Sequence, residues 1–155
     1  MNTIATLLRE EDILLDLDVS NKNALFDAIA QHCARQHGLA RELVVKALEG
    51  RESRGSTVLD AGVAIPHGQL SGVAAPLLVY VRLKPALPCG QQNQDPVTDV
   101  VALLLPQSAG VEPLLLLAEV AHSLADQDFR GRLQACSDAR QVMRVWSECD
   151  EGIWV

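Results

Sequence analysis

Aromatic side chains are scarce in this chain of 155 residues: two Trp, one Tyr and two Phe, 3% of the total. A core must therefore be filled by Leu, Val, Ile and Ala, and an apolar content of 48% is enough to build one in a chain of ordinary single-domain length. Positive charge is also in short supply. Thirteen Lys and Arg stand against twenty Asp and Glu, a net charge of −7, with no basic block. That balance argues against nucleic acid and against an anionic membrane surface as partners, while leaving a basic protein partner open. Long hydrophobic runs are missing. The longest, "PLLLLAEVA", is broken by Glu119, so no membrane insertion is expected. The opening "MNTIATLLREED" turns charged too soon for a secretory signal, which points to the cytoplasm. The four cysteines, Cys33, Cys89, Cys136 and Cys149, form no C-x-x-C pair and no zinc-spaced cluster. Cys33 adjoins His32, but two neighbours do not make a metal site. Reduced thiols that mostly fill the core are expected, with no metal and no cofactor.

Helical and extended patterns alternate along the chain. A short helix covers "MNTIATLL", and "ILLDLDV" (Ile13–Val19) alternates as a half-buried strand does. Ser20 can cap a helix running to His37, with Leu25, Phe26, Ile29 and Cys33 on one face and Gly38 as its left-handed stop. A second helix runs from Ala40 to Arg51. Val63–Pro66 is a short strand, and the β-branched runs Ala75–Leu83 and Val97–Pro106 are central strands. Between them "KPALPCGQQNQDP" has the composition of a surface loop. "EPLLLLAEVAHSLAD" is an apolar helix with Leu114, Leu117, Ala118, Ala121, Leu124 and Ala125 as its stripe. Two short helices follow, the last capped by Ser137. The expectation is an α/β fold: one domain over residues 1–150, a mixed sheet flanked by helices on both faces, and a tail at 151–155.

Of the four histidines, His32 and His37 lie toward a helix C-terminus, where a solvated ring is favoured by the helix dipole. His122 is expected at the surface beside Glu119. His67 differs because its chain setting is rigid. Pro66 fixes its own φ and holds Ile65 extended, and Gly68 leaves room for a close approach to the imidazole. Taken alone, Pro-His-Gly fits equally well a turn histidine satisfied by a backbone carbonyl. A second feature bears on it. Val44, Leu48 and Arg51 are spaced i, i+4, i+7, so Arg51 continues an apolar helical stripe and needs an anion, or a pairing with Glu52 or Asp60. A neutral imidazole is a competent nucleophile toward phosphorus. Phosphoryl transfer requires alignment and donors on the equatorial oxygens, which Arg51, Ser56, Thr57 and nearby backbone N–H groups can supply.

The run "GRESRGSTVLDAGVAIPHG" (Gly50–Gly68) resembles the active-site segment of the fructose/mannitol-type IIA domains of the bacterial phosphoenolpyruvate-dependent phosphotransferase system. Within that group it looks most like the nitrogen-regulatory IIA proteins, which tend to read R-E-x-x-G-S-T before A-I-P-H-G. The resemblance extends along nearly the whole chain. It implies a phosphoryl group carried on His67 at Nε2, Arg51 as the supporting cation, Ser56, Thr57 and Gly68 around the phosphate, and an HPr-like phosphocarrier as donor. Regulatory target proteins would then read the phosphorylation state. Two departures stand out. Pro113 occupies the position where members commonly carry a second histidine, and His122, nine residues further along a helix, would be about 13 Å away. Cys89 and Gly90 stand where a Phe-Asp pair is usual. The alternatives are a regulatory binding module of the same fold that is poorly phosphorylated or not phosphorylated, and a sugar-transport IIA that passes phosphate to a IIB domain. A histidine phosphatase would place Arg directly before the His, where this chain has Pro66.

Overall fold

The computed structural model describes residues 3–107 and 110–148. A short helix α1 (Thr3–Leu7) and a 3-10 turn (Glu10–Asp12) lead into strand β1 (Ile13–Leu17). Helices α2 (Lys22–His37) and α3 (Arg41–Glu52) follow. Three short strands come next: β2 (Val58–Leu59), β3 (Val63–Ala64) and β4 (His67–Gln69). The long strands β5 (Leu77–Leu87) and β6 (Val97–Leu105) precede helices α4 (Glu112–Ala125), α5 (Gln127–Gln134) and α6 (Ala139–Ser147). The expected tail at 151–155 and Cys149 lie outside the described residues.

The six strands form one mixed sheet in the order β1-β5-β6-β3-β2, with β4 also paired to β6. β5 and β6 are antiparallel, whereas β1 on β5, and β3 and β4 on β6, are parallel. Side chains alternate across the central strands, as a two-residue period requires. Val79, Val81, Leu83, Val100, Ala102 and Leu104 face α2 and α3. Leu78, Tyr80, Val101, Leu103 and Leu105 face α1 and the three C-terminal helices. The expected mixed sheet with helices on both faces is therefore the observed one. Three of the five aromatics are gathered on the second face, where the fully buried Trp146 ring meets Phe129 at 4.8 Å and Tyr80 at 6.2 Å between centroids. Edge-to-face contacts of this kind add to the area that each ring buries.

Several local expectations are corrected. β1 ends at Leu17 rather than Val19. Asn21, not Ser20, caps α2, its Oδ1 accepting the Ala24 N–H at 2.7 Å. Asp138, one residue after Ser137, caps α6. β5 continues to Leu87, so the surface loop begins four residues later than its composition suggests. On α4 the buried stripe is Pro113, Leu116, Val120 and Leu124, whereas Leu114 is 67% exposed; the helix is rotated relative to the expected face. His122 is exposed, as expected. His32 and His37 are not solvated rings. His32 is buried, and both Nε2 atoms lie 2.7 Å from Oδ1 of Asp12, which is itself fully buried. Their shared partner comes from a turn 20 and 25 residues upstream, which local helix position does not reveal. Cys33 and Cys136 are buried and Cys89 is partly buried, consistent with thiols as packing groups.

Buried polar residues clamp the sheet to the C-terminal helices. Arg82 donates to Asp16 Oδ1 at 2.9 Å and to the Leu133 and Cys136 carbonyls at 3.1 and 2.6 Å. Asp99 accepts from the Tyr80 hydroxyl at 2.6 Å and from Gln134 Nε2 at 3.0 Å. Charges taken from water hold only when fully hydrogen-bonded, so these contacts fix where α5 sits.

Candidate functional site

The expected strand Val63–Pro66 is split. Pro66 has no N–H to donate, and the segment kinks from β3 into β4 there. The kink remains tied down: Ile65 N–H donates to the Thr57 carbonyl at 3.1 Å, and Leu103 N–H donates to the Pro66 carbonyl at 3.0 Å. His67 thus starts a new strand in parallel register with Leu103.

The ring is oriented by its own backbone. Nδ1 of His67 lies 2.9 Å from the Ile65 carbonyl oxygen. A carbonyl only accepts, so Nδ1 carries the hydrogen, and the lone pair of the neutral ring is on Nε2. Burial pushes the His67 pKa below its ordinary 6.5; the Ile65 hydrogen bond opposes this, and the Arg51 charge reinforces it. The ring is therefore neutral and nucleophilic around neutral pH.

Helix α3 brings Arg51 to the same place. Val44 and Leu48 are fully buried and anchor the helix, and Arg51 continues their stripe to the rim. One guanidinium nitrogen donates to the Gly55 carbonyl at 2.9 Å, which closes the turn after the helix and leaves other N–H groups unspent on that bond. Glu52 is not its partner. That carboxylate takes Lys22 Nζ at 2.9 Å, the Thr57 N–H at 3.0 Å and the Thr57 hydroxyl at 2.5 Å. Burial alone would raise the Glu52 pKa, but these hydrogen bonds prevail and hold it below the usual carboxylate value.

Arg51, His67 and Gly68 line one hollow of about 630 Å³. Ser56 and Thr57 do not line it. Thr57 turns its hydroxyl and N–H to Glu52, and Ser56 Oγ accepts the Val58 N–H at 3.1 Å, so both shape the loop behind Arg51. Gly68 also has a packing role. A Cβ there would lie 2.8 Å from the Ala47 carbonyl oxygen, so the missing side chain lets β4 approach α3. Two further cations, Lys46 and Arg54, line the hollow, and no acidic residue does so among those described. Lys46 is on α3, whereas Arg54 lies in the turn past the helix end at Glu52, where helical spacing carries no signal. Opposite, α4 contributes Pro113, Leu114 and Leu117. Cys89 packs on the far side of the Glu52–Thr57 loop, with Phe26 and Val58.

A buried-ended strand thus delivers a neutral imidazole into a cationic hollow of an acidic protein. Residues 6–149 match the family described as "Phosphoenolpyruvate-dependent sugar phosphotransferase system, EIIA 2". The chain belongs to this family. It is 34% identical to a nitrogen regulatory protein of Bradyrhizobium diazoefficiens, over 92% of this chain and 93% of that one. The crystal structure of the nitrogen regulatory protein IIA-Ntr from Neisseria meningitidis superposes with a TM-score of 0.86 at 31% identity, covering 92% of this chain and 98% of that one. The IIA mannitol structure from Escherichia coli shares the fold, with a TM-score of 0.76 at 19% identity over 90% and 98% of the two chains. The family IIA protein described here is thus most like proteins of the nitrogen-regulatory branch among these three. Among the described residues no helix is long and apolar enough to cross a membrane.

Proposed function

We propose that this IIA protein carries a phosphoryl group on Nε2 of His67, accepts it from an HPr-like phosphocarrier, and regulates target proteins by its phosphorylation state. The observation that carries this reading is the hydrogen bond from Nδ1 to the Ile65 carbonyl beside the Arg51-lined hollow. It fixes the tautomer in which Nε2 is the nucleophile before any donor arrives. In the transfer, the P–N bond of the donor phosphohistidine breaks as a P–Nε2 bond forms on His67, and the electron pair of the broken bond returns to the donor ring. The hydrogen stays on Nδ1, donated to the Ile65 carbonyl. Arg51 stabilises charge on the equatorial oxygens, with Lys46 and Arg54 raising the local positive potential.

The regulatory role is supported by the relatives at 31 and 34% identity, both named as nitrogen regulatory proteins. A phosphoryl group adds about −1.5 to −2 charges, by analogy with other phosphoresidues, to a hollow whose rim includes the exposed Leu114. A target that docks there would meet a different surface in the two states. The apolar rim with the cationic floor also suits a phosphorylated protein donor.

The test is intact-protein mass spectrometry after incubation with phosphoenolpyruvate, the general phosphotransferase enzyme and an HPr-like donor. One phosphoryl mass is expected on the wild type and none on His67→Ala. No addition, or equal addition to the variant, would defeat the reading. An unmodified His67 with partner binding intact would favour a binding module, and rapid passage of label to a IIB domain would favour sugar transport.

A further inference from the structure

A second group of chemistry-bearing side chains lies away from the hollow. The 3-10 turn Glu10–Asp12 packs against α2 and places Asp12 between His32 and His37. Each Nε2 is 2.7 Å from the same Asp12 oxygen, Oδ1. One ligand atom from each of the three residues falls within 4.8 Å of the others. The second carboxylate oxygen, Oδ2, is buried without a hydrogen-bond partner. Asp12 is fully buried, so half of a carboxylate is withdrawn from water without a compensating donor. Cations compensate such a group, and two imidazole nitrogens beside it make a donor set of intermediate softness.

We propose that Asp12, His32 and His37 form a site for a zinc-class divalent metal ion, with two imidazole nitrogens and one carboxylate as ligands and an open position toward solvent at His37. Zn–N and Zn–O bonds of about 2.0–2.2 Å in a tetrahedron separate neighbouring ligand atoms by about 3.3 Å. The present 2.7 Å spacings from each Nε2 to Asp12 Oδ1 need to open by about 0.6 Å, and the two histidine ligand nitrogens lie within 4.8 Å of one another. His37 can give that distance, because it is the last residue of α2 and its side chain is 24% exposed. The same exposure gives the ion a route in and leaves room for a water as the fourth ligand. For binding, each Nε2 must give up its hydrogen. A neutral ring retakes one at Nδ1, and a cationic ring releases a proton to solvent. Asp12 then exchanges two N–H donors for a metal bond. Cys33, though it adjoins His32 in the sequence, is outside the group of ligand atoms that converge here, which is Asp12, His32 and His37. The ion would pin the end of α2 to the turn that launches β1, far along the chain from His67.

The site is tested with the full chain, using Zn²⁺ in competition with a chromophoric chelator and Co²⁺ followed in the visible. One ion per chain is expected, with a d–d spectrum that lacks thiolate charge transfer. His37→Gln should weaken binding at least about tenfold, while His122→Gln, at an exposed position on α4, leaves it unchanged. Asp12→Asn should also abolish binding. Should that variant fail to fold by circular dichroism, His37→Gln decides alone, since its ring is partly exposed. Absence of stoichiometric binding, unchanged affinity in His37→Gln, or a thiolate charge-transfer band would each overturn the proposal.

Discussion

Gly68 on β4 lies directly against the backbone of Ala47 on α3: a Cβ at residue 68 would come within 2.8 Å of the Ala47 carbonyl oxygen and 2.9 Å of its carbon. Arg51 follows Ala47 by one helical turn, and His67 precedes Gly68 by one residue. The contact therefore sets how near the guanidinium comes to the imidazole. Gly68→Ala has no flexible neighbour to displace, because the obstacle is main chain. It should cost about 1–3 kcal/mol in chemical denaturation and slow phosphorylation of His67 more than the stability loss alone explains. A variant with wild-type stability and rate would show that the close approach is dispensable.

The Arg51 guanidinium donates to the Gly55 carbonyl and sits at the rim rather than in the core. Arg51→Ala should therefore leave thermal stability nearly unchanged while slowing phosphorylation about ten- to hundredfold. Arg51→Lys keeps the charge but cannot both bond Gly55 and fork around two phosphoryl oxygens, so it should fall between the two. Rapid-quench transfer from the phosphorylated donor measures this, and equal rates for Lys and Ala would show that charge contributes nothing.

Protonation silences a nucleophilic imidazole. Burial, reinforced by Arg51, holds the His67 pKa below 6.5 in the folded chain. The decline of phosphorylation on acidification should set in at a lower pH than an imidazole of ordinary pKa 6.5 would show. The stability sign follows. Between the folded and unfolded pKa the unfolded chain binds more protons, so the His67 contribution is full above 6.5 and is lost as pH falls through the depressed folded value. NMR titration should show opposite displacements in two variants. Arg51→Ala should raise the His67 pKa and Glu52→Gln should lower it, because their charges act with opposite sign. Displacement of both in one direction would contradict the electrostatic picture.

Much of this arrangement was legible in the residues. Proline before His67 and a charged residue on an otherwise apolar stripe are local facts, and they led to the imidazole and to Arg51. The central strands were readable because β-branched runs report burial on both faces. What stayed hidden depends on tertiary register. The function of Gly68 needs the neighbouring helix to be in place. Thr57 has the chemistry of a phosphate ligand, yet Glu52, five residues before it, takes both its donors. The Asp12–His32–His37 group brings a turn and a helix together across twenty residues, beyond the reach of any spacing rule for metal ligands. The stripe of α4 was misassigned because nearly every position there is apolar, so periodicity has little contrast to report.

Glu52 closes the loop behind Arg51 through Thr57 and ties it to α2 through Lys22. Glu52→Ala leaves the buried Thr57 donors without an acceptor and should cost about 1–3 kcal/mol. The carboxylate is held below its usual pKa, so its contribution is present above about 4.5 and lost as pH falls through the folded value. Wild type should therefore lose more stability than Glu52→Gln on acidification below pH 5, measured by parallel denaturation curves. Identical acid limbs would show that the loop is held by other contacts.

Pro113 is buried in the wall of the hollow at the second position of α4, where the family resemblance implies a second imidazole. A first-turn proline favours the helix but offers the phosphoryl group no donor. Pro113→His adds a ring whose N–H can reach into the hollow from the side opposite Arg51, while sacrificing about 0.4–1 kcal/mol of backbone rigidity. Its lone pair and hydrogen can both serve the transfer, since a neutral imidazole stabilises charge without repelling the donor. Transfer from the phosphocarrier should accelerate severalfold, with the His67→Ala background showing no phosphate on the new ring. Acceleration would identify Pro113 as limiting the transfer. An unchanged rate, in a variant folded by circular dichroism, would mean that Arg51, Lys46 and Arg54 already supply all the stabilisation the transfer uses.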